Sequence, residues 1–194
     1  MRTLRSLFSI VSLSFLGWLS ATPVFASPPL AHVSELDAKL PSTDGSFESL
    51  SDYRGSVVLV HFFASWCGEC LLEAPSLDQL YRALQDRGFM VVGVAIDDTI
   101  PAAQALKERL HLSFPVLVDT QQMLKKNFSV QGIPMSIVLN AVGSIASFND
   151  PATGAPTRKI VGPRPWNSDA ARASILNLLS SPASPHVALM RLPR

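Results

Sequence analysis

A chain of 194 residues, 47% apolar and with a formal charge of +1, has room for one domain with a packed core and little room for two. The apolar fraction excludes a disordered tail, and with no basic run to meet a polyanion no nucleic-acid partner is expected. His32, His61, His111 and His186 stand singly and the two cysteines form one pair, so no metal ligands are assigned.

The first residues read as an export segment. Arg2 and Arg5 give a positive start, Leu7 to Leu19 is apolar, Pro23 breaks the run, and Val24-Phe25-Ala26 offers small or branched residues to a signal peptidase. Residues 1–26 are therefore assigned as a signal peptide, with cleavage after Ala26. An uncleaved anchor stays open, because no charged side chain occurs between Arg5 and Glu35 and a span needs about 20 such residues. The expected location is periplasmic or otherwise exported, with membrane contact only if the segment is retained. Cleavage would leave 14 basic and 15 acidic side chains, so steering of partners by net charge should be weak.

Residues 27–39 form an N-terminal arm, and Ser42-Thr43-Asp44-Gly45 is turn chemistry. Phe47 to Leu50 is a short strand or a turn. Val57 to Phe63, Val-Val-Leu-Val-His-Phe-Phe, reads as a strand buried on both faces. A helix begins at the cysteines, with Leu77, Leu80, Tyr81 and Leu84 at helical spacing, Gly88 as its stop and Pro75 as an expected kink. Phe89 to Ile96 is a strand, Pro101 to Leu110 a helix, Phe114 to Val118 a strand and Gln121 to Phe128 a short helix. Met135 to Asn140 is a strand, against which Ile145 to Phe148 could pair back. Asn149 to Thr157 is a polar loop and Arg158 to Val161 an edge strand. Asn167-Ser168-Asp169 caps a last helix, Ala170 to Leu179, and residues 181–194 form a flexible tail. Alternating strands and helices argue an α/β sandwich around one sheet, in a domain spanning residues 40–180.

Trp66-Cys67-Gly68-Glu69-Cys70 stands where a buried strand hands over to a helix. A disulfide across so short a ring removes little chain entropy, which makes it a poor staple and points to chemistry instead. A thiolate at a helix N-terminus faces free N–H groups and the positive end of the dipole, so its pKa falls, and the thiolate is the attacking species. Cys67, the outer thiol, is read as the nucleophile. Cys70, one turn deeper, is read as the thiol that resolves the mixed disulfide. Glu73 shares the apolar stripe with Leu77, Leu80 and Leu84. There a partly buried carboxyl could exchange protons near neutrality, or simply favour the helix dipole.

The stretch from Val57 through Phe63-Ala64-Ser65-Trp66-Cys67-Gly68-Glu69-Cys70-Leu71-Leu72-Glu73-Ala74-Pro75 resembles the thioredoxin superfamily, and most of all its exported TlpA/ResA-like branch. Gly132-Ile133-Pro134, which alone could be an ordinary turn, resembles that family's cis-proline loop. Val91 to Val118 resembles the branch's strand–helix insertion, and Gly162-Pro163-Arg164-Pro165-Trp166 its C-terminal region. The resemblance implies a thioredoxin-like sandwich with a central mixed sheet flanked by helices. It implies a protein-disulfide reductase in which Glu73 tunes or accepts protons. It also implies a substrate groove formed by Trp66, Gly68, Glu69, Ile133 and Pro134. The Cys67–Cys70 disulfide would itself be the redox centre, with no separate cofactor. Protein disulfides or dithiols would be the substrates, a membrane protein the electron donor, and apocytochrome c a client.

Three residues depart from the pattern. His61 stands mid-strand where thioredoxin carries Asp and TlpA-like proteins usually carry Asn; it is either a hydrogen-bonded core histidine or part of an altered proton path. Glu69 replaces a common Pro and places a negative charge beside Cys67, which disfavours the thiolate and leans toward a reductant. Met135 replaces a common Thr, and with Cys67 and Cys70 could form a soft Cu(I) site, an alternative to disulfide chemistry. An oxidase or isomerase is the other alternative. A peroxidase fits poorly, since Ala64 stands where that chemistry would need a Thr.

Overall fold

The computed structural model describes residues 36–96 and 99–181. The expected signal segment, its cleavage site, most of the N-terminal arm and most of the tail lie outside the described residues. A small antiparallel pair, β1 (Leu40–Pro41) and β2 (Phe47–Glu48), opens the fold, and a 3-10 turn at Leu50–Tyr53 leads to β3 (Val57–Phe63). All seven residues of β3 are buried, as the unbroken apolar run required. Helix α1 (Gly68–Leu84) follows and runs on through Pro75, which lies on its exposed side. A 3-10 turn then ends at Gly88, whose φ of 85° suits glycine and releases the chain into β4 (Phe89–Ile96).

Helix α2 (Ile100–Arg109) starts at Thr99, whose side chain accepts the Ala102 N–H, and has Pro101 in its first turn. Strand β5 is Val116–Asp119, two residues later in its start than the sequence suggested. Pro115 cannot donate to the ladder; its carbonyl instead accepts from Gly93 N at 2.9 Å. Helix α3 (Met123–Asn127) is also shorter than expected. The fully buried Asp119 carboxylate fixes its start, accepting from Met123 N and Lys125 N at 2.8 Å each. Next come β6 (Met135–Leu139), β7 (Phe148–Asn149), β8 (Pro156–Thr157), β9 (Ile160–Val161) and α4 (Asp169–Leu179), the last capped by Ser168.

The central sheet has the order β5-β4-β3-β6-β9. β3, β4 and β5 run parallel, while β6 is antiparallel to β3 and β9 antiparallel to β6. This is the mixed, helix-flanked sheet of a thioredoxin-like fold, with β4-α2-β5 as the extra unit. One expectation holds only in part. Ile145 bridges back to β6 at Leu139, and Ala146 N donates to Val138 O at 2.8 Å, but Phe148 and Asn149 pair with Thr157 and Pro156. The reason lies on α4: Ser174 Oγ accepts from Asn149 N and donates to Asn149 O, both at 2.9 Å, and Phe148 enters the core beneath that helix.

Alternation along the strands divides the core in two. Val57, Leu59 and Phe63 face the layer of α1, α2 and α4, while Val58, Val60 and Phe62 face α3 and the N-terminal segment. Each fully buried large apolar side chain contributes about 1.5–3 kcal/mol, so both layers hold the strand ends in place. The chain leaves β3 for the cysteines, and enters β6 from the Pro134 loop, at the same end of the sheet, because Phe62 pairs with Met135.

Candidate functional site

Beyond Phe63 the chain turns at Ala64, whose carbonyl accepts from Cys67 N at 3.1 Å, and Cys67 becomes the N-cap of α1. Cys67 and Cys70 form a disulfide with 5.3 Å between their Cα atoms. Cys67 Sγ accepts the Cys70 N–H at 3.3 Å, so the helix N-terminus is aimed at this sulfur, as the spacing required. The two cysteines differ in access: Cys67 is 9% exposed and Cys70 1%. Gly68 and Glu69 are exposed in the first turn, and Trp66 is 65% exposed.

The Ile133–Pro134 bond is cis, as the resemblance implied. Pro134 O accepts from Gly162 N at 2.8 Å, which ties the loop to the end of β9. Ile133 is half-buried against both core layers, and exposed Val161 lies beside Gly132. One apolar residue escaped the sequence reading. Leu72 is 84% exposed in the second turn of α1, off the stripe that Leu77, Leu80 and Leu84 bury. An apolar side chain off its helix's buried stripe is the signal that could have found it.

Glu73 is buried at 4% exposure, one turn beyond Cys70 on the same face of α1. Its Oε1 accepts the indole N–H of Trp166, and its Oε2 is buried with no partner. Burial raises its pKa to about 7; the Trp166 bond, the Arg164 backbone N–H and the Arg164 charge pull it down, and Glu69 pushes it up. Arg164 is itself held by Asp150, Nε to Oδ1 and one terminal nitrogen to Oδ2, both at 2.8 Å. The sequence placed Glu73 but assigned no role to Trp166, Arg164 or Asp150. A buried carboxyl needs a donor and a buried indole needs an acceptor, and that mutual requirement was the available clue.

A disulfide whose two cysteines differ in access, a helix N-terminus on its outer sulfur and a buried carboxyl one turn away is thiol–disulfide chemistry. The AhpC/TSA family model matches residues 34–148. The chain belongs to that thioredoxin-like family. It is 26% identical over 144 residues to the thiol-disulfide oxidoreductase ResA of Geobacillus kaustophilus (strain HTA426), which covers 73% of this chain and 83% of the relative. A crystal structure from Chlorobium tepidum, described as a candidate thiol:disulfide interchange protein DsbE, superposes with a TM-score of 0.62 at 30% identity, over 74% of this chain and 93% of that one. A thiol:disulfide interchange protein of the thioredoxin family from Chlorobium tepidum TLS gives a TM-score of 0.60 at 26% identity, over 80% and 96%. The chain is a thiol–disulfide oxidoreductase of the ResA/DsbE type.

Within that family this chain's departures take definite places. His61 is 2% exposed, its Nδ1 3.0 Å from Ser136 Oγ, and burial lowers its pKa to about 4, so the ring is neutral at pH 7. Its Nε2 has no partner; the ring lines a small cavity with Cys70 and Ala74 of α1. The core-histidine reading is thus half satisfied. Met135 does not join the cysteines: it packs in the opposite layer with Val60 and Phe62, so the sheet separates it from Cys67 and Cys70. Among the described residues no cluster of three His, Cys, Asp or Glu could hold a metal, and no helix is long and apolar enough to cross a membrane.

Proposed function

We propose that the chain reduces disulfides of exported proteins. The observation that carries this is the Cys67–Cys70 pair with Glu73, a carboxyl poised near neutrality on the buried side of the thiol that must lose a proton.

In the reduced protein the Cys67 thiolate attacks a client disulfide. A Cys67–client mixed disulfide forms and the first client sulfur leaves as a thiolate that takes a proton from solvent. The Cys70 thiol gives its proton to Glu73, and its thiolate attacks Cys67 Sγ. The Cys67–Cys70 bond forms, and the second client thiolate leaves and collects that proton from Glu73. Two electrons and two protons have passed to the client. The dithiol pair is its own redox centre, with no separate cofactor, and a second dithiol must reset it. A membrane electron donor on the periplasmic side fits that need, and the apolar start of the chain fits export. Exposed Trp66, Gly68 and Glu69 and half-buried Ile133 are the surface a client would meet, with Pro134 itself buried in the same loop, and an apocytochrome c disulfide is a client of the right chemistry.

Mixed-disulfide trapping tests this reading. A Cys70→Ser variant, reduced and mixed with a disulfide-bonded protein, should accumulate a covalent adduct through Cys67, while Cys67→Ser should form none. Equal trapping by both variants would remove the ordered roles.

A further inference from the structure

The connection from β9 to α4 crosses back over α1. Trp166 N donates to Ser76 Oγ at 3.3 Å, and Asn167 Nδ2 donates to Gln79 Oε1 at 3.0 Å. These bonds explain why the segment docks. They do not explain why the one polar atom of a fully buried indole meets the carboxyl next to the cysteines, 93 residues away in sequence. Nor do they explain why Arg164, two residues earlier, is held along two edges of its guanidinium. Asp150 takes one edge of its guanidinium with two parallel bonds, and its remaining nitrogen donates to Pro163 O at 2.9 Å. A guanidinium held in this way keeps its charge at a constant place relative to Glu73.

We propose that Trp166 and Arg164, the latter set by Asp150, are positioning residues for proton transfer at Glu73: the indole N–H fixes Oε1 and leaves Oε2 as the atom that takes and returns the proton. The inference rests on the reading of Glu73 as the acceptor for Cys70. A buried carboxyl with several donors would stay ionised and could not return a proton readily, and one with none would stay protonated and could not accept it. Here Oε1 takes one neutral side-chain donor, the Arg164 backbone N–H adds a weaker pull, and Oε2 has no partner within hydrogen-bonding distance. The remaining groups around it are few. Glu69 lies on α1 itself, Arg164 and its partner Asp150 lie in the crossing segments, and neutral His61 lines the cavity beside Ala74. In the oxidised protein neither cysteine titrates, so Glu73 can be followed free of thiol coupling.

The test is a pH titration of the oxidised protein by NMR, reading the Glu73 carboxyl carbon and the Trp166 indole N–H, the latter identified by its loss in Trp166→Phe. Both signals should move together with a midpoint near 7, and the indole should stop responding in Glu73→Gln. In Trp166→Phe the carboxyl midpoint should rise by about one pH unit, cutting the ionised fraction at neutrality from about half to about a tenth. The rate of protein-disulfide reduction there should fall about fivefold, with its pH midpoint displaced equally. Arg164→Gln should act in the same direction and serves if Trp166→Phe does not fold. Asn167→Ala loosens the same crossing without touching Glu73, and should move neither midpoint. If Trp166→Phe or Arg164→Gln leaves the carboxyl midpoint where it was, the positioning role is overturned. If the carboxyl midpoint moves but the rate profile does not, the clamp acts on Glu73 while the reading of Glu73 as acceptor fails.

Discussion

Replacing Glu73 by Gln removes one of two buried groups whose titrations oppose each other in the helix-covered layer of the sheet. Burial raises Glu73 from 4.5 to about 7, so between those values the native state holds a proton that the unfolded chain has released. Its contribution is fully present below the unfolded value and is lost as pH rises through 7. Burial lowers His61 from 6.5 to about 4, so there the unfolded chain holds the extra proton. Its contribution is fully present above 6.5 and is lost as pH falls through 4. Each displacement corresponds to about 3 kcal/mol, a sizeable part of a domain stability of about 5–15 kcal/mol. Where the windows overlap the two slopes nearly cancel, and wild-type stability should be almost flat. Glu73→Gln should unmask His61: stability should climb by about 3 kcal/mol from acid to neutral pH. His61→Asn should unmask Glu73, with stability falling by about 3 kcal/mol over its window. Urea unfolding of the oxidised proteins at closely spaced pH values reads both slopes. Asp44, Asp52 and Asp150, whose pKa values are lowered by hydrogen bonds, titrate in every variant and drop out of the differences. A Glu73→Gln profile parallel to wild type would show that no displaced proton resides on that carboxyl.

Limiting iodoacetamide should label Cys67 of the reduced protein before Cys70, because the outer sulfur is the more exposed and lies at the helix N-terminus; first labelling at Cys70 would reverse the assignment. Glu69→Gln removes a charge from the redox loop and should lower the Cys67 pKa and make the couple more oxidising. A shift of about 30 mV is a tenfold change in the exchange equilibrium, readable in a glutathione buffer, and an unmoved potential would dismiss the electrostatic argument. Leu72→Ser should cost stability by no more than about 0.5 kcal/mol, as the side chain is 84% exposed, yet raise KM for an unfolded protein disulfide while leaving that for glutathione disulfide unchanged. Equal effects on both substrates would show that Leu72 does not touch clients.

What could be read in the sequence was local. The run Val57–Phe63, the cysteines straight after it and the stripe through Leu84 each declare themselves within a few residues, and the structure keeps all three. Misread elements were those decided by distant partners. Phe148 and Asn149 leave β6 because Ser174 on α4 captures the Asn149 backbone. Helix α3 begins late because Asp119, at the end of β5, holds its first N–H groups. Met135 stands next to Pro134 in sequence, yet strand alternation turns it to the other layer while Ser136 faces His61. The largest omission, Trp166 on Glu73, needed a contact across 93 residues that no periodic pattern encodes.

Whether the chain is the reductant proposed above is decided by the reduction potential of the Cys67–Cys70 couple, measured in glutathione or dithiothreitol buffers at neutral pH. Glu69 beside the nucleophile destabilises the thiolate and hence the reduced form, so the potential should lie at the reducing end of the range, near about −270 mV. A value of about −120 mV would instead mark a strongly stabilised thiolate and an oxidant of proteins.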